Sequence, residues 1–249
     1  TATDPAGNVS PVRLTPIVID TTPPVAPVVA PTNGTLVKGT GTPGDTVVIK
    51  NNAGTTTVCT VSPTVIQASG TFSCTPITPI SPTGSPLSVY TADPAGNTST
   101  LVSVPLDTTA PVVTINNPAA IVANNKTNYS VSGTCSENGQ IVNVMIGSIS
   151  TTTTCSTGAW SVSNVDVTSL PEGIAIIKAT QQDVAGNSTT VFAGTIKDTV
   201  PPASPTVVVP ALTKNSKPPI TGTCENGSAV YLTILPSGES QAVVCLNSQ

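Results

Sequence analysis

Short apolar runs with a period of two recur along this chain, bounded by Gly, Pro, Asn and Asp. Val142, Val144 and Ile146 alternate with Asn143 and Met145, and Val230, Leu232 and Ile234 alternate with Tyr231 and Thr233. Val47 and Ile49 hold the corresponding places in a third stretch, and Leu87 and Val89 correspond to Ile177 and Ala179 with Ser88, Tyr90, Lys178 and Thr180 between. One face of each such strand is buried and one is wet. The pattern predicts strands over 25–30, 36–40, 46–50, 55–61, 70–74, 87–91 and 98–106. It predicts them again over 112–115, 129–135, 141–146, 150–155, 159–162, 174–180 and 189–196. Residues 9–19 read as one more strand, interrupted by Pro11 and Pro16. No stretch has a 3.6-residue period, so no helix longer than a turn or two is expected.

Two signatures organise these strands. Asp4-Pro5-Ala6-Gly7-Asn8 recurs as Asp93-Pro94-Ala95-Gly96-Asn97 and Asp183-Val184-Ala185-Gly186-Asn187, after 89 and then 90 residues. Asp20-Thr21-Thr22-Pro23 recurs as Asp107-Thr108-Thr109-Ala110-Pro111 and Asp198-Thr199-Val200-Pro201, after 87 and 91 residues. A period near 90 suits a small β-sandwich and is too long for a helical solenoid. The expected organisation is the end of one copy over 1–20, full copies over 21–107 and 108–198, and the beginning of another over 199–249. Each full copy is an all-β, seven-stranded β-sandwich.

Composition narrows the function. The chain holds 25 Pro and 19 Gly, and aromatics make up 2%, so the cores are built of Val, Ile, Leu and Thr. Histidine is absent, which removes the commonest general base and metal ligand; no acid/base constellation is apparent, and an enzyme is not expected. With 8 Lys+Arg and a net charge of −4, no basic patch for nucleic acid can form. No apolar run reaches the ~20 residues of a membrane helix. Six cysteines in a Thr-rich β chain point to an oxidising, extracellular setting. Cys135 and Cys155 lie 20 apart, and Cys224 and Cys245 lie 21 apart, at matching places in successive copies. Gly41 stands where Cys135 does, so Cys59, read as the counterpart of Cys155, is left with Cys74. The expected pairs are Cys59–Cys74, Cys135–Cys155 and Cys224–Cys245, and the absence of any C-x-x-C argues against zinc.

Four motifs in order carry a family resemblance: Gly133-Thr134-Cys135, Gly158-Ala159-Trp160-Ser161, Asp183 to Asn187, and Asp107 to Pro111. Together they resemble the bacterial Ig-like repeats of giant surface adhesins. The resemblance implies tandem immunoglobulin-like sandwiches at the bacterial cell surface, neighbouring repeats of the same chain as partners, and calcium at domain joins. In such a sandwich the second-to-third and sixth-to-seventh strand loops sit at the pole where the chain enters. That places Asp20, Asp45 and Asp93 together at one join, and Asp107, Glu137 and Asp183 at the next. Calcium takes such oxygen ligands. The alternative for Asp4, Asp93 and Asp183 is an Asx-turn, with Asp20, Asp107 and Asp198 only capping a linker.

Trp160 and Phe72 share one position and read as core. The sequons at Asn97, Asn128 and Asn187 read as chance in a Ser- and Thr-rich chain. The functional expectation is a structural stalk segment of an adhesin or fibre, about 35–45 Å per domain at ~3.3 Å per strand residue. Two other readings stand beside it. One is a binding module for a host or matrix glycan or protein, using the proline-rich stretch over 75–86. The other is a subunit of an extracellular filament whose partners are further copies.

Overall fold

The structure is a computed structural model that describes all residues except 58, 61–63, 236 and 247–249. It is all-β; among the described residues the one helical element is a 3₁₀ turn at Pro82–Gly84. The chain forms two compact units, one of residues 1–118, 130–164 and 176–194, the other of 119–129, 165–175 and 195–249.

In the first unit, the first full copy contributes β1 (Val28–Val29), β2 (Val37–Thr40), β3 (Thr46–Lys50), β4 (Thr64–Val65), β5 (Thr71–Cys74), β6 (Leu87–Ala92) and β7 (Val102–Val104). They make an Ig-like sandwich of a β1-β2-β5 sheet and a β4-β3-β6-β7 sheet. The inward residues of both sheets form one core: Val37, Phe72 and Cys74 from the first, Val47, Ile49, Leu87 and Val89 from the second, closed by Ile66. Antiparallel register sets Ile49 opposite Val89 and Val47 opposite Thr91.

The second copy contributes β8 (Ile121–Val122), β9 (Tyr129–Thr134), β10 (Ile141–Ile146), β11 (Ile149–Thr154), β12 (Ala159–Val165), β13 (Gly173–Gln182) and β14 (Ser188–Asp198). Within the first unit, β10 pairs with β11 along its whole length and with Ile177–Gln181 of β13. Val142, Val144, Ile146, Ile177 and Ala179 are buried, while Asn143 and Met145 are exposed. The strand expected over 112–115 is reduced to a bridge from Val113 to Cys135 and the bonds Thr114 N to Thr134 O and Asn116 N to Ser132 O.

A glycine fixes how closely that first segment approaches the second strand. A Cβ on Gly133 would lie 1.9 Å from the Thr114 carbonyl oxygen and 2.6 Å from Trp160 Nε1. Gly39 meets the Val28 carbonyl and Phe72 in the same way, and Gly222 meets the Thr206 carbonyl. Trp160 is buried as core, and its indole N–H donates to Thr114 O at 2.9 Å.

Two expectations need correction. The strand over 55–61 is not formed as such: Val58 and Val61 lie outside the described residues, Thr56 bridges Lys50, and Cys59 bridges Pro76 on the extension of β5. Residues 55–57 pair with the end of β3, through Thr57 N to Ile49 O and Asn51 N to Thr55 O, and β4 pairs with its start, Thr64–Val65 against Thr46–Val47. This changes the equivalence of Cys59. Ile66 N donates to Asp45 O and Gly44 N to Ile66 O, the two bonds made by Cys155 N to Gln140 O and Gly139 N to Cys155 O. Ile66, not Cys59, is the counterpart of Cys155. Its Cδ1 lies 2.5 Å from the place of a Cβ on Gly41, so an isoleucine fills the space that a disulfide occupies in the second copy. The second correction is the stretch 9–19. Its pairing is with residues 2–3, through the Thr3–Val9 bridge and the Ser10 N to Ala2 O bond, and Leu14, Ile17, Val18 and Ile19 are exposed. Pro11 and Pro16 lack donors, and among the described residues no named strand pairs with it.

In the second unit, the end of β14 runs parallel to β8, Lys197 opposite Ile121 and Asp198 opposite Val122. Tyr129 Oη and Thr195 Oγ1 both donate to the Ala119 carbonyl, at 2.6 and 2.7 Å. The third copy forms the hairpin β15 (Ala229–Ile234) and β16 (Glu239–Val244), with Thr206 and Val208 bonded to Thr223 and Thr221.

Candidate functional site: the joins between repeats

The Asp-x-Ala-Gly-Asn turn is built the same way three times. Asp183 Oδ1 accepts from the Gly186 and Asn187 amides at 2.7 and 2.8 Å, and its Oδ2 accepts from Asn187 Nδ2 at 2.8 Å. Asp93 takes the Asn97 amide and Nδ2 at 2.8 and 2.9 Å, and Asp4 takes those of Asn8 at 2.9 and 2.8 Å. The glycine in each turn has φ between +85° and +101°, which a side chain would strain. These are Asx-turns, and they hold Asp93 and Asp4 below the ordinary carboxylate range, chiefly through the asparagine side chain.

Two of the asparagines, Asn97 and Asn187, also reach the join that enters their own repeat. Asn187 Nδ2 donates to Asp107 O at 2.9 Å, and Asn97 Nδ2 donates to Asp20 O at 3.1 Å. The join aspartates cap their own linkers, Asp107 Oδ1 taking Thr109 N and Asp20 Oδ1 taking Thr22 N. Asp107 N in turn donates to Thr32 O, inside the first copy. A further bond crosses the second join, from Asn33 N to Ala185 O at 3.0 Å.

The acids expected at the poles are placed unequally. Asp45 N bonds Thr42 O, and Gln140 N bonds Glu137 O. The counterpart of Asp45 is therefore Gln140, and Glu137 stands where the first copy has Thr42. Glu137 accepts from Ser136 Oγ, and its backbone is held on both sides by the buried Gln181 carboxamide. Among the described residues no three Asp, Glu, His or Cys side chains gather about one ion site, in either the set Asp20, Asp45, Asp93 or the set Asp107, Glu137, Asp183. The first join nevertheless holds an unusual group. Asp45 is 4% exposed, its Oδ2 is buried without a hydrogen-bond partner, and burial followed by the charge of Asp93 pushes its carboxyl up. An anionic oxygen so placed fits a cation; Gln140 at the second join offers no such charge.

Residues that sequence reading did not single out hold the end of the second copy. Lys197 is buried, and its Nζ donates to the carbonyls of Thr168, at 3.0 Å, and Leu170, with Glu172 Oε1 at 3.4 Å. Glu172 also takes Thr199 N and Oγ1, at 2.8 and 2.6 Å, and is held below the ordinary range mainly by Thr199. The available signal was positional: Lys197 occupies the place of Leu106, an inward site on the last strand. Lys197→Ala strips two carbonyls of their donor and is expected to destabilise by about 2 kcal/mol or more, measured by calorimetric unfolding of the full chain.

The three disulfides are Cys59–Cys74, Cys135–Cys155 and Cys224–Cys245, and among the described residues no cysteine is free. The carboxamides of Asn97 and Asn187 are occupied at the joins, and Asn128 is exposed. The proline-rich stretch 75–86 forms one wall of a groove of about 600 Å³, with Ile77, Ile80 and Thr83 facing Asn51 and Thr55–Thr57. No helix among the described residues is long and apolar enough to cross a membrane.

No curated protein sequence matches the chain. Among solved structures, it is similar to a Ca²⁺-stabilised adhesin with which an Antarctic bacterium binds ice, at 26% identity over 86% of this chain and a TM-score of 0.39. The chain spans 58% of the length of that structure. It is similar at 21% identity to a tetra-tandem repeat from the extending region of a large adhesion protein, over 99% of this chain and 69% of that one, with a TM-score of 0.37. A third is a 1.5-MDa bacterial ice-binding adhesin, at 21% identity over 92% of this chain and 85% of that one, with a TM-score of 0.41. A sequence-family model, described as bacterial Ig domain, matches residues 23–108, the segment that folds as the sandwich of β1 to β7. Over those residues the chain carries a domain of the bacterial Ig family.

Proposed function

We propose that the chain is a structural segment of a bacterial cell-surface adhesin, extended and stiffened by tandem Ig-like repeats over 21–107 and 108–198, with parts of further copies over 1–20 and 199–249. The observation that carries this reading is the repeated join. The turn of one repeat bonds the linker that enters it at Asp20 and again at Asp107, with the same atoms. A linker bonded to a folded body bends less than a free one of the same length. The partners of each repeat are its neighbours in the chain, and the setting is extracellular, which suits three disulfides.

Calcium belongs to the same reading at the first join. Asp45 would hold it, with Asp93 and the Asp20 linker beside it. A bound divalent cation would neutralise the buried carboxylate and favour the folded, joined state by mass action. The second join, with Asp107, Glu137 and Asp183, lacks the unpaired buried oxygen and is the poorer site.

The test is calorimetry of the full chain with calcium and with chelator, on the wild type and Asp45→Asn. In chelator the variant is expected to be more stable, by about 1 kcal/mol, because an unpaired buried charge is removed. Calcium is expected to raise the first-repeat transition of the wild type and leave the variant unmoved. Equal melting of the wild type in both buffers would overturn the calcium site. The pH dependence has a defined sign. The raised Asp45 carboxyl favours the folded state below the ordinary value of 3.8, and that contribution is lost as pH rises through its folded pKa. The lowered Asp93 carboxyl contributes above 3.8 and is lost as pH falls. Asp45→Asn is therefore expected to steepen the acid destabilisation of the first repeat.

Recognition of a glycan or protein by the groove beside 75–86 is the second reading, supported by the length of that loop against 166–172, the same connection in the second copy. Binding of the full chain to a glycan array, lost on Ile77→Asp, would favour it.

A further inference from the structure

We propose that the Asp–Asn pair of each sixth-to-seventh strand turn is a receptor for a main-chain carbonyl, and that it sets the geometry of the join preceding its repeat. It fixes a specific role for Asn97 and Asn187, in which the aspartate is the positioning residue and the carboxamide the contact. The inference rests on the repeats being joined as described, and not on the calcium or cell-surface readings.

The chemistry is directional. A carboxylate only accepts, so the asparagine must turn its NH₂ group, not its oxygen, toward Asp183. One of the two N–H bonds goes to Asp183 Oδ2 at 2.8 Å, and the other is thereby aimed at Asp107 O at 2.9 Å. Asn97 divides its two N–H bonds the same way, between Asp93 Oδ2 and Asp20 O. The same pair recurs in the first signature, where Asn8 Nδ2 is bonded to Asp4 Oδ2 at 2.8 Å and Asp4 Oδ1 takes the Asn8 amide. The receptor is thus preorganised by its own turn, which lowers the ordering cost of engaging a linker.

The bonded group also explains why the two signatures travel together. Asp107 is divided between two bodies, its N–H held by Thr32 O of its own repeat and its C=O by Asn187 of the next. A single residue couples the repeats, and Asn33 N to Ala185 O is a second point across the same join.

The experiment is amide hydrogen exchange on the full chain in chelator, so that no cation can substitute for a lost donor. In Asn187→Asp the replacement carboxylate faces both Asp183 and a carbonyl and donates to neither. The Asn33 amide, which crosses the join, is expected to exchange about tenfold faster, the loss of one hydrogen bond in stability. Amides inside the repeats, such as those of Val89 and Val144, are expected to be unchanged, and the Trp160 indole N–H signal reports that the second repeat stays folded. Asn187→Ser keeps the Gly186 amide bonded to Asp183 but cannot reach Asp107; it is expected to give the same Asn33 result and covers the case in which the Asp variant does not fold. Asn97→Asp is expected to leave Asn33 unmoved. Unchanged Asn33 protection in Asn187→Ser, or an equal effect from Asn97→Asp, would overturn the proposal. Neither result bears on whether the chain stands at a cell surface.

Discussion

Gly133→Ala is expected to destabilise the second repeat by about 3 kcal/mol or more, although alanine fits the backbone dihedrals there without strain. The reason is steric. The added methyl would sit 1.9 Å from Thr114 O and 2.6 Å from Trp160 Nε1, one of them main chain. Either the first segment withdraws from β9, losing the Thr114–Thr134 bonds, or the indole moves and its N–H loses Thr114 O. Overpacking costs about 1–3 kcal/mol by itself, and a lost buried hydrogen bond adds about 1 or more. Trp160 is the one tryptophan of the chain, so its fluorescence during urea unfolding reports this repeat alone. Gly194→Ala is the control, since its methyl meets only Ile176 Cδ1, at 4.0 Å. A midpoint for Gly133→Ala within error of the control would refute the packing account.

Removing the second-repeat disulfide, by Cys135→Ser with Cys155→Ser, is expected to cost about 3 kcal/mol, the chain-entropy value for a loop of this length. The sulfur pair closes a separation of 20 residues. Under force the effect is one of length. With the bridge intact those residues cannot extend, and reduction should lengthen the unfolded second repeat by roughly 70 Å at about 3.5 Å per residue. The first repeat should gain less, since Cys59–Cys74 closes a separation of 15. Single-molecule pulling of the full chain with and without reductant measures both. Equal contour gains in the two conditions would mean that the bridges do not carry load.

Much of this fold was legible in the residues, because copies with different side chains kept the same alternation. Val47 and Ile49, Val142 and Val144, Leu87 and Ile177 are on the buried face in the structure as in the pattern. The failure at 55–61 has a definite cause. A Thr-rich segment satisfies a strand pattern in any register, and the pairing of Cys59 and Thr60 with Pro76 and Thr75, on the extension of β5, is a long-range contact that local pattern does not encode. The pairing of Cys59 with Cys74 was reachable by elimination, yet its premise, that Cys59 replaces Cys155, was not right. At the joins, the aspartates and asparagines were visible as turns. That Asn187 spends its second N–H on Asp107 was not, because the partner is a backbone atom 80 positions away. The misplacement of Glu137 came from counting acids in a loop when the hydrogen-bond register puts Gln140 at the place of Asp45.

The divided bonding of Asp107 bears on how such a chain can change length over generations. What the next repeat grips at the join is a peptide carbonyl, which every amino acid supplies. Each period of about 90 residues therefore brings a socket at one end and a universal plug at the other. Unequal recombination that deletes or duplicates one whole period, in frame, rejoins a plug to a socket it already fits, and no compensating substitution is needed.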